Sequence, residues 1–451
     1  MMSKRAALWL ALGGLVSGGT MASATAADRT HSNNSPPTVP ASTSSSHAIA
    51  QVGFLDRLTG SQDESCDSTY VCEDACDCDP CCDGGSGGAL TCLFDCDLGE
   101  PFSLFGEYNG FSIGGWVQTG YHTNAVPLFN SRPDEFNLHQ AWVYAEKAID
   151  TTDGFDIGGR IDYLYGIDAQ DTQAFGVGNG HWDTDFVNGE YGHAIPQLYA
   201  EAGYGDISIK AGHFYTIIGW EVVGAPDNFF YSHAYTMYNS EPFTHTGALA
   251  TASICDDLEV YGGYVLGWDS GFEDNGDAFL GGASLAVCDD ITVIYATVGG
   301  RFGDSQVGTS EQGYMHSIVT DVTVTDRLQY IAQSDFLSTE DGISGATVRE
   351  TFGFNQYLIY TLSDCLALGA RFEYYNQEGV FLNDNGTPNN DADDFIQESD
   401  ILALTLGINY KPCANVLTRP EIRWDFDDDE LAGLDEGDSQ TTFGIDTIFL
   451  F

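Results

Sequence analysis

From Phe111 to the last residue the chain alternates apolar and polar positions with a period of two, in short runs separated by polar connections. Sixteen runs can be marked, at 111–123, 136–149, 155–167, 195–204, 207–217, 244–255, 258–268, 277–287, 291–302, 312–324, 327–338, 350–362, 366–376, 400–410, 416–426 and 441–451. In 400–410, Leu402, Leu404, Leu406, Ile408 and Tyr410 share one face, and Ala403, Thr405, Gly407 and Asn409 share the other. In 416–426, Val416, Thr418, Pro420, Ile422, Trp424 and Phe426 alternate with Arg419, Glu421, Arg423 and Asp425. Four charges on one face of one strand suit a water-filled lumen better than the dry core of a soluble sandwich.

The connections between runs alternate as well. Thr151–Gly154, Gly205-Asp206, Asp256-Asp257, Asp289-Asp290, Thr325-Asp326, Ser363-Asp364 and Pro412–Asn415 are tight, whereas 168–194, 218–243, 377–399 and 427–440 are long. Short turns at one end and long loops at the other are the sidedness of an outer-membrane barrel. The pattern therefore predicts an all-β protein, a transmembrane antiparallel β-barrel of about sixteen strands. Lipid offers no hydrogen-bond partner, so such a sheet must close on itself.

The N-terminal quarter reads differently. Lys4 and Arg5 precede an apolar run from Ala6 to Val16, and small residues follow up to Ala27. This is the layout of a secretory signal peptide, too short for a membrane-spanning helix. The expected organisation is a signal peptide over 1–27, a Ser/Pro-rich disordered linker over 28–65, a cysteine-rich periplasmic segment over 66–110 and the barrel over 111–451.

Charge removes whole classes of function. The chain carries 67 acidic and 15 basic residues, a net charge of -52 at pH 7, and such a field repels nucleic acid. Its 43% hydrophobic content is too high for a disordered acidic chain.

Alternation points a set of ionisable residues into the lumen: Arg160, Asp162, Glu201, Lys210, Arg371, Glu373, Arg419, Glu421, Arg423 and Asp425. These are the candidate pore-lining residues, since charges of opposite sign across a pore tune its selectivity; the plain alternative is a salt-bridged wall. The connection 218–243 is long and aromatic and carries Glu221, Asp227 and Glu241. It either folds inward as a constriction, caps the outer mouth or covers a neighbouring subunit of a homo-oligomer.

Eight cysteines fall close together, Cys66, Cys72, Cys76, Cys78, Cys81, Cys82, Cys92 and Cys96, and four more sit beside tight turns, Cys255, Cys288, Cys365 and Cys413. Cys78 and Cys81 have the spacing of a metal clamp, but no second such pair and no histidine accompany them, so disulfides in an exported chain are preferred to metal. Neighbouring turns lie roughly 10 Å apart, beyond the ~7 Å Cα reach of a disulfide. At least one turn cysteine is therefore expected to pair with the 66–96 segment. No cofactor is expected; the acidic stretches 425–438 and 383–394 offer oxygen ligands to Ca²⁺ but lack a strict calcium loop. His181, Ser232, His233 and His245 have no nucleophile elbow around them, and no enzyme is expected.

Several motifs carry a resemblance. They are Phe111-Ser112-Ile113-Gly114-Gly115-Trp116, Pro196-Gln197-Leu198-Tyr199, Lys210-Ala211-Gly212-His213-Phe214, Gly219-Trp220-Glu221, Asn228-Phe229-Phe230-Tyr231-Ser232 and Glu241-Pro242-Phe243-Thr244-His245-Thr246-Gly247. Through them the segment 111–255 resembles the β-barrel porin-2 (OmpL-like) family, its planctomycete-type members in particular. The resemblance implies a porin-like barrel in the cell outer membrane. The final strand, with Phe443, Ile445, Phe449 and Phe451 on one face, is similar to the signal read by the outer-membrane assembly machinery. The expected function is passive diffusion of small polar solutes or ions, with lipid, solute and assembly machinery as partners. The contrasting reading is a non-conducting barrel that organises the envelope through its cysteines and acidic loops.

Overall fold

In a computed structural model, the structure describes residues 98–108, 110–126, 128–174, 182–183, 189–272, 276–304, 310–381, 395–427, 434 and 437–451. The expected signal peptide and linker, the eight clustered cysteines, His181 and the tip 383–394 lie outside the described residues.

Sixteen long strands form one antiparallel sheet: β1 Phe111–His122, β2 Phe136–Lys147, β3 Phe155–Gly166, β4 Leu198–Tyr204, β5 Ile207–Tyr215, β6 Thr244–Cys255, β7 Leu258–Val265, β8 Asp277–Cys288, β9 Ile291–Asp304, β10 Ser310–Thr325, β11 Leu328–Asp341, β12 Thr347–Ser363, β13 Leu366–Phe381, β14 Phe395–Cys413, β15 Val416–Asp427 and β16 Ser439–Leu450. Each pairs with its neighbour in sequence, and β16 returns to β1 with Ile448 opposite Gln118 and Leu450 opposite Trp116. The barrel is closed. Two short pieces, Glu107–Tyr108 beside β1 and Gly192–Ala194 beside β3, extend the same sheet.

The faces follow the alternation. Leu402, Leu404, Leu406, Ile408 and Tyr410 are exposed on the outside of β14, and Ala403, Thr405 and Asn409 are buried inside. Outward aromatics form two rows. Tyr330, Tyr360, Tyr410 and Phe449 lie near the tight turns; Tyr314 against Phe336 and Phe352 against Tyr374 lie farther out. Phe352 and Tyr360 on β12 are separated by about 20 Å of barrel height, at ~3.3 Å per residue and a tilt near ~40°. That matches an apolar band about 25 Å tall bounded by aromatic girdles.

Strands β10 to β14 are longer than the alternation predicts. Their extra turns of pleat lie beyond the outer girdle, where outward positions are polar and bonded to one another. Gln312 donates to Glu340 (2.9 Å), and Tyr374 and Asn376 donate to Asp400 (2.7 and 2.9 Å). Strand β4 begins at Leu198 instead of 195, since Pro196 has no N–H for the ladder. Strand β7 stops at Val265, short of 268.

At the turn end, residues preceding β1 dock on the β14–β15 turn. The Ala414 N–H donates to the Leu98 carbonyl (2.9 Å), and Asn415 exchanges side-chain bonds with Phe102 (2.6 and 2.7 Å). Of the four turn cysteines offered as disulfide candidates, Cys255, Cys288 and Cys413 are free thiols. Cys255 and Cys288 sit on exposed turns two strands apart, too far for direct bonding. Cys365 is disulfide-bonded, and none of the other described cysteines is its partner.

Candidate functional site

The connection between β5 and β6, residues 216–243, folds into the lumen. It contains one 3-10 turn, Ala225–Asp227, and a short helix, Tyr235–Ser240. Such irregular backbone has many polar groups to satisfy, and buried ones must be satisfied. The wall supplies the partners.

Arginines of the wall take the segment's carbonyls. Arg419 Nη1 donates to Ala225 O (2.8 Å) and Asn228 O (2.7 Å), Arg423 Nη1 to His233 O (2.6 Å) and Arg371 Nη1 to Ser232 O (2.7 Å). Glutamates of the wall take its N–H groups. Glu421 accepts from Tyr231 N (2.9 Å) and Ser232 N (3.1 Å), and Glu373 from Tyr235 N (2.9 Å) and Thr236 N (2.7 Å). Basic and acidic side chains alternate along β13 and β15 because donors and acceptors alternate along the backbone they hold.

The charges also pair. Arg371 Nη1 meets Glu221 Oε1 at 2.6 Å, Arg419 Nη2 meets Asp446 Oδ2 at 2.6 Å and Arg423 Nε meets Asp425 Oδ1 at 2.7 Å. Glu221 further accepts from the Ala234 N–H (2.8 Å) and the Tyr357 hydroxyl (3.1 Å). Burial alone would raise the Glu221 carboxyl. The Arg371 guanidinium, His233 and the Ala234 N–H outweigh it and hold the group well below the usual carboxylate range.

Aromatic side chains fill the space between segment and wall. Phe229 and Phe230 pack edge to face (4.9 Å between centroids) with Val319, Ile331, Tyr357 and Ile359. Phe229 lies so close to Gly369 of β13 that a Cβ there would collide with its ring. Tyr231 OH bonds to His139 Nε2 (2.6 Å), whose Nδ1 meets Asp168 Oδ1 (2.9 Å), tying the segment to β2.

The expected pore-lining residues thus divide. Arg371, Arg419 and Arg423 are only 1%, 2% and 0% exposed, and Glu373, Glu421 and Asp425 are buried with them. They point inward and meet the segment, not open solvent. Arg160, Glu201 and Lys210, with Glu146, keep partial contact with solvent on the adjacent strands β2 to β5. Arg160 pairs with Asp162 (2.6 Å) and Glu146 (3.1 Å) and stacks over Tyr144, 4.3 Å from its centroid. Asp162 is buried and also accepts from Trp142 (3.1 Å) and Gln197 (3.2 Å). Ser208 donates to Glu201 (2.8 Å), and Lys210 lies 4.4 Å over the Tyr199 ring. Asp227 closes the 3-10 turn, half-buried, and Glu241 sits at the far stem of the segment.

Ser232 and His233 are engaged by Arg371 and Glu221, with Ser232 Oγ 3.0 Å from Arg371 Nη2. His139, Asp168, Gln333 and Asp446 were not among the candidates. For Gln333 and Asp446 the signal was present, because both fall on the lumen face of runs already marked. Among the described residues no group of three or more His, Cys, Asp or Glu side chains is placed to hold a metal.

A family model described as "Putative beta-barrel porin-2, OmpL-like" matches residues 110–451. No curated relative matches the chain. Among solved structures, the barrel is similar to an anion-selective porin from Comamonas acidovorans, at 9% identity and a TM-score of 0.50, covering 76% of this chain and 99% of that one. It is similar also to an outer-membrane protein of Vibrio cholerae, OmpT in its trimer form, at 12% identity and a TM-score of 0.49, with the same 76% and 99% covered. At such identities these likenesses concern fold alone.

Proposed function

The chain belongs to the Putative beta-barrel porin-2, OmpL-like family, porin-like channels of the outer membrane, and from that premise we propose that small polar solutes pass it along the β2–β5 wall. The observation that carries the reading is the division of the lumenal charges. Those of β13 and β15 are committed to residues 216–243, and Glu146, Arg160, Glu201 and Lys210 are left in contact with solvent. Diffusion is passive. The 216–243 segment narrows the lumen, and the solvated patch sets what the remaining path prefers.

That patch mixes signs, with Arg160 already held by two carboxylates. The acidic excess of the whole chain enriches cations at the mouths. Together they favour cations modestly. Planar-bilayer recordings test the assignment. Glu201→Gln and Lys210→Gln are expected to shift the reversal potential in opposite directions, whereas Asp425→Asn, beneath the segment, leaves it in place. Equal shifts from all three would remove the patch from the path.

A further inference from the structure

The two stems of the inward segment meet on one side chain of the wall. Gln333, on the lumen face of β11, accepts from the Trp220 N–H through Oε1 (3.0 Å) and donates from Nε2 to Glu241 Oε1 (2.6 Å). Residues 220 and 241 bracket the segment, so this one amide pins both ends. The same nitrogen also donates to Asp335 Oδ2 (2.9 Å), two positions along β11 on the same face.

Two carboxylates therefore share one donor. Glu241 and Asp335 are 4% and 1% exposed. Among the described residues no arginine, lysine or histidine pairs with either of them, unlike Glu221, Asp446 or Asp425. Ser317 donates to the other Asp335 oxygen (2.7 Å). The remaining ionisable groups facing the pair are Glu221, engaged by Arg371 and His233, and Tyr357 of β12. Gly219, at φ 87°, closes the last side, since a Cβ there would collide with the Glu241 carboxylate.

Two buried carboxylates in contact, with no cation between them, cannot both be ionised. One proton stays in the pair, as a carboxylic acid donating to a carboxylate. Burial and the Asp335 charge push the Glu241 carboxyl well above its ordinary range.

We propose that this shared proton latches the base of the constricting segment, so that the aperture widens when alkali removes it. Hydroxide takes the proton, both groups become anionic, and their repulsion parts Glu241 from β11. The sign follows from the direction of the shift. The latch is intact while the pair is protonated and is lost as pH rises through the raised value, so acid keeps it closed.

The latch rests on the channel reading for its electrical readout only, so two measurements separate the two. The full-length protein in lipid is followed by hydrogen exchange of peptides from 216–243, each compared with Glu241→Gln at the same pH so that intrinsic exchange cancels. The expected result is equal exchange near about pH 5 and at least about tenfold faster exchange in the wild type near about pH 10. Asp335→Asn should abolish the rise as Glu241→Gln does. Gly219→Ala should show fast exchange at every pH. In bilayers, wild-type conductance is expected to rise about twofold over the same span, with Glu241→Gln flat. Flat wild-type exchange, or an equal rise in Glu241→Gln, overturns the latch. A rise in exchange with no conducting steps at any pH keeps the latch and overturns the channel reading.

Discussion

Replacing Arg371 by methionine tests whether the wall charges act as a scaffold for the inward segment. Arg371 and Glu221 bury their side chains to 1% and 6% exposure and meet at 2.6 Å, so solvent screens the pair little. Methionine keeps the volume and removes the charge. It leaves Glu221 buried, with the Ala234 N–H, the Tyr357 hydroxyl and His233 (3.3 Å) as its remaining partners. It also strips the Ser232 carbonyl of its guanidinium partner. Breaking one side of a buried pair costs about 3–5 kcal/mol. Glu221→Gln in the same background removes the stranded charge, and the remaining loss is that of the hydrogen bonds, about 1–2 kcal/mol. The double variant should therefore be more stable than the Arg371→Met single by roughly 2 kcal/mol, a coupling large enough to measure in a double-mutant cycle. Denaturant unfolding of the barrel in lipid reads all four proteins. A double variant as destabilised as the sum of its parents would refute the argument, because the two groups would then contribute independently.

Other outcomes can be checked with less work. Reversal potentials should show a modest preference for cations that fades as salt screens the acidic loops; clear anion selectivity at low salt would contradict it. Non-reducing peptide mapping should find Cys365 joined to a peptide from 66–96, while iodoacetamide labels Cys255 and Cys288 in the intact protein; a map with no such joined peptide removes the tether. Asp269, between β7 and β8, accepts from the Phe243 and Thr244 N–H groups (2.6 and 2.9 Å), and burial pushes its carboxyl up from 3.8 to about 6. That shift corresponds to stability of about 3 kcal/mol, fully present below pH 3.8 and lost as pH rises through about 6. Asp269→Asn should lose this pH dependence in thermal unfolding; an unchanged profile would show that Asp269 does not titrate in that window.

The barrel was legible because its rule is local. A period of two assigns each side chain to a face wherever lipid covers one side, as in Leu402 to Tyr410, and the turns of two to four residues mark one end. The rule weakens where lipid ends. Outward Glu350, Glu340 and Asp400 continue their strands above the outer girdle, yet such residues are just as compatible with a loop. The candidate site was half legible. Alternation aims Arg371, Glu373, Arg419 and Glu421 inward, but nothing near them in the chain says that a peptide backbone and not water will meet them. Their partners, Ser232, Thr236, Asn228 and Tyr231, lie 139, 137, 191 and 190 residues away. An inward course for 216–243 is a property of those distant pairs, and no pattern within the segment encodes it.

Those separations govern the order of construction. Residues 216–243 come well before β13 and β15 in the chain, yet many of their bonds are to Arg371, Glu373, Arg419, Glu421 and Arg423. Loop closure over such spans is slow, since its entropic cost precedes any contact that repays it. The inward segment is therefore fully held only once β13 and β15 are in place. A sheet that lacks β15 and β16 neither closes nor holds this segment, so sealing the barrel and narrowing its passage depend on the same strands.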